Sequence, residues 1–213
     1  MELFQNQVIR VKEMCLKKRF RFFSLVFFFS IFLNSYNVVA EENDFNIRSE
    51  VIIYLTNIKE FSSSFIQHDG DSLQQGEFFL KRNRLRVEYS TPKKIVLIVK
   101  ENNAMYYNID LEEVEYFNPK KTPASIFFNF FYDEEYLKDS KIYHDKNFFS
   151  FEKTIVIDDN KNLVKFFFEK SPLKLRKIQI KNSEGITSFT IINPNYNPDL
   201  NDKLFSLANP LLS

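Results

Sequence analysis

The stretch Gly76-Glu77-Phe78-Phe79-Leu80-Lys81-Arg82-Asn83-Arg84-Leu85-Arg86-Val87-Glu88-Tyr89 decides the fold class. Two apolar-rich runs flank the pair Asn83-Arg84 and read as a β-hairpin, with a weaker turn than Asn-Gly would make. Upstream, Phe61, Ser63, Phe65 and Gln67 alternate, and His68-Asp69-Gly70-Asp71 turns the chain. Downstream, Pro92 punctuates and Ile95–Val99 is an unbroken β-branched run, as expected of a strand covered on both faces. Glu101-Asn102-Asn103 turns into Ala104–Ile109, and Val114–Phe117 adds a short strand. Four further strands are expected at Phe148–Ile157, Leu163–Glu169, Leu173–Ile180 and Ile186–Ile192, joined by Asp/Asn-, Pro- and Gly-containing turns. Within the third, Leu173/Leu175 and Ile178/Ile180 fall on opposite parities, which predicts a bulge. Asp133–Lys141 reads as a charged connection.

Two segments break the period of two. Ile47, Val51, Tyr54, Leu55 and Ile58 recur on one helical face, predicting an amphipathic helix over about 44–58 with Asp44 as its N-cap. Thr122-Pro123 reads as a cap and first turn for a helix within 123–131, where Ile126, Phe127, Phe128, Phe130 and Phe131 make it apolar nearly all round. Roughly ten short strands in hairpin succession with two helices predict a mainly β fold, a curved antiparallel sheet or half-open barrel with helices closing its concave face. Such a scaffold encloses something apolar.

Composition removes the other classes. Lys and Arg total 29 against 28 Asp and Glu, without the basic excess of a nucleic-acid-binding domain. The three glycines, at 70, 76 and 185, lie too far apart for a phosphate-cradling loop. One cysteine and two distant histidines, His68 and His144, supply neither a zinc cluster nor a Cys–His nucleophile, so no metal, no cofactor and no catalytic residue is expected. Paired acids such as Glu112/Glu113 and Asp133/Glu134/Glu135 sit in polar stretches and read as solvated turns.

Residues 1–40 read as a secretory signal peptide. Lys17, Lys18, Arg19 and Arg21 precede an apolar run over Phe22–Leu33, and Val38-Val39-Ala40 ends as a cleavage site would. The run is short of the roughly 20 residues of a membrane span, although an uncleaved anchor is the alternative. Cys15 precedes the run and cannot be a lipidated cysteine after it; the start is Met1 or Met14. Six of the basic and two of the acidic residues fall in these forty, so cleavage leaves 23 against 26, a charge of about −3, on a chain with no cysteine. One exported domain, 41–213, is expected.

Several stretches resemble the family of LolA, the periplasmic carrier of outer-membrane lipoproteins. They are the first helix with Phe61-Ser62-Ser63-Ser64-Phe65-Ile66-Gln67, the hairpin through Ser90-Thr91-Pro92, Ile95–Val99, Tyr107–Val114, Lys121–Ser125, Asn195-Tyr196-Asn197-Pro198 and Asp202-Lys203-Leu204-Phe205. No piece is diagnostic alone; their order and spacing across 41–213 make the resemblance specific. It implies a half-open β-barrel whose cavity takes lipoprotein acyl chains, and a monomeric carrier that receives cargo from an inner-membrane ABC transporter and hands it to an outer-membrane receptor lipoprotein. It also implies a role for Arg82, at the family's position for an arginine that hydrogen-bonds the helical lid. Departures are Asn83-Arg84 for a Pro-Gly-type turn, Val87 for an aromatic residue, and an end at Pro210-Leu211-Leu212-Ser213 where some members have an extra C-terminal segment tied to one-directional delivery.

An acyl chain drawn from a membrane into water exposes about 0.8 kcal/mol per CH₂, so a carrier must offer comparable apolar contact. Candidates for the cavity wall are Phe61, Phe65, Phe78, Leu80, Leu85, Val87, Ile95, Leu97 and Val99; alternation leaves open which parity points inward. Lid candidates are Val51, Leu55, Ile126, Phe127 and Phe130, with Arg82 as the latch. The competing readings are a carrier or sensor for another lipid, and a structural β domain with a dry core.

Overall fold

The computed structural model describes residues 43–212, so the expected signal peptide and its cleavage site lie outside the described residues. Eleven strands form one antiparallel sheet: β1 (Glu60–His68), β2 (Leu73–Lys81), β3 (Arg84–Thr91), β4 (Ile95–Lys100), β5 (Asn103–Asn108), β6 (Glu113–Phe117), β7 (Lys141–His144), β8 (Phe148–Ile157), β9 (Asn160–Lys170), β10 (Leu173–Lys181) and β11 (Ile186–Tyr196). Their order is β6-β5-β4-β3-β2-β1-β11-β10-β9-β8-β7, so two hairpin arrays are sewn together where β1 meets β11. The outermost strands, β6 and β7, do not pair with each other, and the sheet is a half-open barrel.

Turn chemistry sets the hairpins. Asn83 takes φ 60° between β2 and β3, a left-handed value that asparagine tolerates. The bulge expected in β10 is present, as a register shift between Leu175 and Lys177 against β9. A second bulge lies between Gln75 and Gly76, where a Cβ on Gly76 would sit 2.0 Å from the Glu88 carbonyl oxygen and 2.9 Å from the Phe65 ring. Glycine is therefore required there for close approach.

The chain passes from edge β6 to edge β7 through a 3₁₀ turn at Pro119–Lys121 and the helix α2 (Ala124–Tyr132). Thr122 does not cap α2 as expected. Its hydroxyl donates to the Pro119 carbonyl at 2.8 Å, and Pro123 occupies the cap position with helical angles and no side-chain bond. The first helix, α1, runs over residues 43–56; residue 43 is already helical, so Asp44 lies within it rather than capping it. The connection after α2 is less polar than its charges suggest: Tyr136, Leu137 and Ser140 are buried, and Lys141–His144 pairs with β8 as an edge strand.

From Arg48 onward the chain forms one compact unit. Its inner face carries an aromatic core. Phe130 of α2 stacks on Phe166 of β9 with ring centroids 4.0 Å apart, Phe131 meets Phe61 at 5.3 Å, and Phe149 stacks on Phe168 at 5.4 Å. On the other face a second core joins Val96, Ile98 and Met105 to Leu200 and Phe205 of the C-terminal segment. Strand β4 is thus covered on both sides, as its unbroken apolar run predicts.

Candidate functional site

Pairing register resolves the parity left open by sequence. Phe61 lies opposite Leu80, Leu80 opposite Leu85, and Leu85 opposite Val99; Phe78 lies opposite Val87, and Val87 opposite Leu97. Directly paired residues share a face, so these seven point to the same side as α2. Phe65, paired with Gly76, and Ile95, paired with Tyr89, continue the pattern.

A cavity of about 350 Å³ lies between this face and the first turn of α2. Five of the nine expected wall residues line it: Phe65, Phe78, Leu85, Val87 and Leu97. Phe61, Leu80 and Val99 are fully buried outside it, with Phe61 covered by Phe131; Ile95 is half-buried and also lies outside it. Ile180, Thr187, Phe189 and Ile191 of β10 and β11 complete the wall and were not expected there. Alternation within Ile186–Ile192 puts Thr187, Phe189 and Ile191 on one face, but only the pairing of β1 with β11 brings that face to this cavity.

The lid candidates divide by role. Phe127 roofs the cavity, its ring centroid 5.3 Å from Phe78 and 5.6 Å from Phe189. Ile126 and Phe130 are buried beside it, and Phe130 holds the helix to β9. Val51 and Leu55 are buried on α1. Leu55 also lines a separate groove of about 510 Å³ between the C-terminal ends of the two helices, with Phe131, Tyr132, Lys59 and Arg82.

Arg82 does not make the expected latch bond. It is exposed at the hairpin tip, lines that groove and has no hydrogen bond or ion pair among the described residues. A tie from α1 to the connection after α2 comes instead from Arg48, whose guanidinium donates to the Leu137 carbonyl, to Ser140 Oγ at 3.0 Å and to the Ser140 carbonyl at 3.0 Å, while lying over the Phe151 ring. An arginine in a helical segment gave no periodic signal by which to single it out. Tyr54 adds a second tie: its hydroxyl donates to Tyr196 Oη at 2.9 Å and accepts from the Leu175 amide at 3.3 Å.

The other hairpin cations act on the opposite face. Lys81 pairs with Glu60 at 2.9 Å and Asp202 at 3.0 Å, Arg84 pairs with Asp202 at 2.6 Å, and Arg86 donates to the Leu204 carbonyl at 2.9 Å. They strap the C-terminal segment to the hairpin, so the cluster is not a free basic patch. The Arg84 guanidinium, then the Lys81 ammonium, holds the Asp202 carboxyl down at about 2. Burial pushes Glu60 upward, but the Leu200 amide and Lys81 outweigh it and its pKa falls.

Inside the cavity, burial pushes the Tyr89 hydroxyl up to about 12, so it is neutral and donates to Gln67 Oε1 at 2.8 Å. Outside that lining, the Ser63 hydroxyl, between Phe61 and Phe65 on β1, is buried with no hydrogen-bond partner among the described residues. Among the described residues no three His, Cys, Asp or Glu converge as metal ligands. What the site offers is an apolar recess under an aromatic helix, with a few neutral polar groups and one acidic residue, Glu184, in its lining.

The family model described as outer membrane lipoprotein carrier protein LolA matches residues 56–208. No curated protein matches the chain. Among solved structures, an uncharacterised conserved protein from Thermus thermophilus aligns at 6% identity and TM-score 0.49, over 76% of this chain and 92% of its own. A DUF1329 family protein from Desulfovibrio piger aligns at 7% and 0.45, over 76% and 97%. The Pseudomonas aeruginosa MucA/MucB complex aligns at 12% and 0.43, over 75% and 62%. At these TM-scores the structural likenesses carry no functional argument.

Proposed function

Since the chain belongs to the LolA family of outer membrane lipoprotein carriers, we propose that it carries lipoproteins through the periplasm with their acyl chains held between the sheet and α2. The family's members are periplasmic carriers rather than enzymes. Among the described residues no helix is long and apolar enough to cross a membrane. Residues 1–40 then act as the cleaved export signal and 41–213 as the carrier domain, with an ABC transporter as donor and a receptor lipoprotein as acceptor.

The observation that carries this reading is the 350 Å³ apolar cavity under Phe127. Ligand sites run from roughly 300 to 1,000 Å³, so this one is at the small end and suits part of a lipid. Further acyl chain enters by displacing Phe127 from Phe78 and Phe189. Cargo contacts then replace lid contacts, and the cost of moving the lid offsets part of the gain from burying each CH₂, about 0.8 kcal/mol. That balance lets the carrier release what it binds.

The test is to add purified protein to spheroplasts that make a labelled lipoprotein and to ask whether the label becomes soluble in a one-to-one complex. Release is the expected result. No release, with the protein folded and the donor transporter active, overturns the lipoprotein reading, and identification of lipid bound to the purified protein then decides for another cargo.

A further inference from the structure

The cavity assigned above to acyl chains is polar at one end, and that end carries a charge. Gln67 of β1 lies opposite Phe189, and Thr187 of β11 opposite Ile180, so Gln67, Thr187 and the turn after β10 gather at the same end of three adjacent strands. Tyr89 of β3 donates to Gln67 at this end, and the rest of the wall on β3 and β4 is Leu85, Val87 and Leu97. An amphiphile seated here has its tail against those three residues and its polar end toward Gln67, Thr187 and the turn.

That turn contributes Glu184, which is the one carboxylate among the described residues that line the cavity. Its side chain has no ion pair and no hydrogen bond with any described residue. The turn is held instead by Asn182, whose Oδ1 accepts from the Glu184 amide at 3.0 Å and the Gly185 amide at 3.2 Å. Gly185 supplies the required φ of 146°. The carboxylate is thus free to act on whatever occupies the mouth, and no cation among the lining residues opposes it.

Resting on the acyl-carrier reading, we infer that Glu184 gives this cavity a preference for apolar chains that end in a protonated amine over those that end in a carboxylate or phosphate. A unit charge about 4 Å from the carboxylate in a water-like medium gains or loses about fivefold in affinity according to its sign, and more as the mouth is desolvated.

Displacement of the neutral dye N-phenyl-1-naphthylamine from the purified protein tests it, with dodecylamine and laurate as competitors below their micelle thresholds at neutral pH. Dodecylamine is expected to displace the dye at a concentration about fivefold or more below that of laurate. Glu184→Gln should remove that difference and Glu184→Lys should invert it, each read as the ratio of the two competitors' displacement constants within one protein, so that any change in dye affinity cancels. Equal displacement by both amphiphiles in the parent protein, or a preference that survives Glu184→Gln, overturns the inference while leaving the cavity reading standing. Failure of the protein to take up the dye at all overturns the cavity reading itself.

Discussion

Phe130 of α2 and Phe166 of β9 lie face to face, with planes within 5° and centroids 4.0 Å apart, and they anchor the helix to β9. Both rings are buried almost completely. Phe127, one turn earlier, roofs the cavity instead. One helix therefore carries both an anchor to β9 and the cover of the cavity, three residues apart on neighbouring parts of its buried face.

Phe130→Ala removes the anchor. Truncating a buried phenylalanine costs roughly 3–5 kcal/mol, less where the site collapses. The urea midpoint should fall accordingly, and proteolysis should rise within 133–140, where Tyr136 packs on the same Phe166 ring. A variant as stable and as protease-resistant as the parent would show that the stack contributes nothing to lid closure.

Arg48 and Arg82 should separate cleanly. Arg48→Met deletes three hydrogen bonds into Leu137 and Ser140, and bonds to a charged donor are worth roughly 1.5–3 kcal/mol. The unfolding midpoint should drop and amide exchange around 137–140 should accelerate. Arg82→Leu, at an exposed tip with no hydrogen bond or ion pair among the described residues, should leave both unchanged. An effect of Arg82→Leu on cargo release without one on stability would place its role in the loaded state, whereas a loss of stability would refute the assignment of the tie to Arg48.

The C-terminal strap should be acid-labile. Asp202 has its pKa lowered from 3.8 to about 2, so its ion pairs with Arg84 and Lys81 contribute in full above 3.8 and are lost as pH falls through about 2. Glu60, also shifted down, adds in the same direction. Protection of the Leu204 and Phe205 amides, relative to their intrinsic exchange rates at each pH, should fall over that window, and Asp202→Asn should remove this part of the pH dependence. Salt at neutral pH should weaken the same contacts, because Asp202 is largely exposed. Protection that stays constant from pH 4 to pH 2 would contradict the strap.

Much of the sheet was legible because its signals are local. Phe148–Ile157 is bounded as expected, and the parity switch around Leu175 marks a true bulge. Lys141–His144 was missed since four residues of mixed polarity at an edge carry no period of two long enough to see. The cavity was half legible for a different reason. The wall on β1 to β4 follows from consecutive hairpins, while Ile180, Phe189 and Ile191 reach it through the β1–β11 pairing, which joins residues more than a hundred positions apart. The roles of Lys81, Arg84 and Arg86 were hidden likewise: alternation places them together, but not opposite Asp202 and Leu204.

Gly76→Ala is expected to fold poorly whatever is done to its neighbour. The new Cβ would stand 2.0 Å from a backbone oxygen of Glu88 as well as 2.9 Å from the Phe65 ring. Overpacking of this kind costs about 1–3 kcal/mol or more. A shorter side chain at position 65 can relieve the ring contact but not the one to Glu88, so the double variant Phe65→Leu, Gly76→Ala should remain destabilised in a urea titration. Full rescue would mean that the strand pair shifts freely at this bulge.

Leu97→Trp tests the cavity by filling it. Leu97 lies on the inner face of β4, is only half-buried, and lines the recess beneath Phe127. Its strand neighbours Val96 and Ile98 point to the opposite core, so enlarging Leu97 leaves that core alone. The indole enters space that is otherwise empty, which limits the strain that a larger side chain would cause in a close-packed core. Stability should stay near that of the parent while affinity for a neutral apolar dye falls on the order of tenfold, a loss of about 1.4 kcal/mol. Retained dye binding in a stable Leu97→Trp protein would move the apolar site out of this cavity and toward the groove between the helix ends.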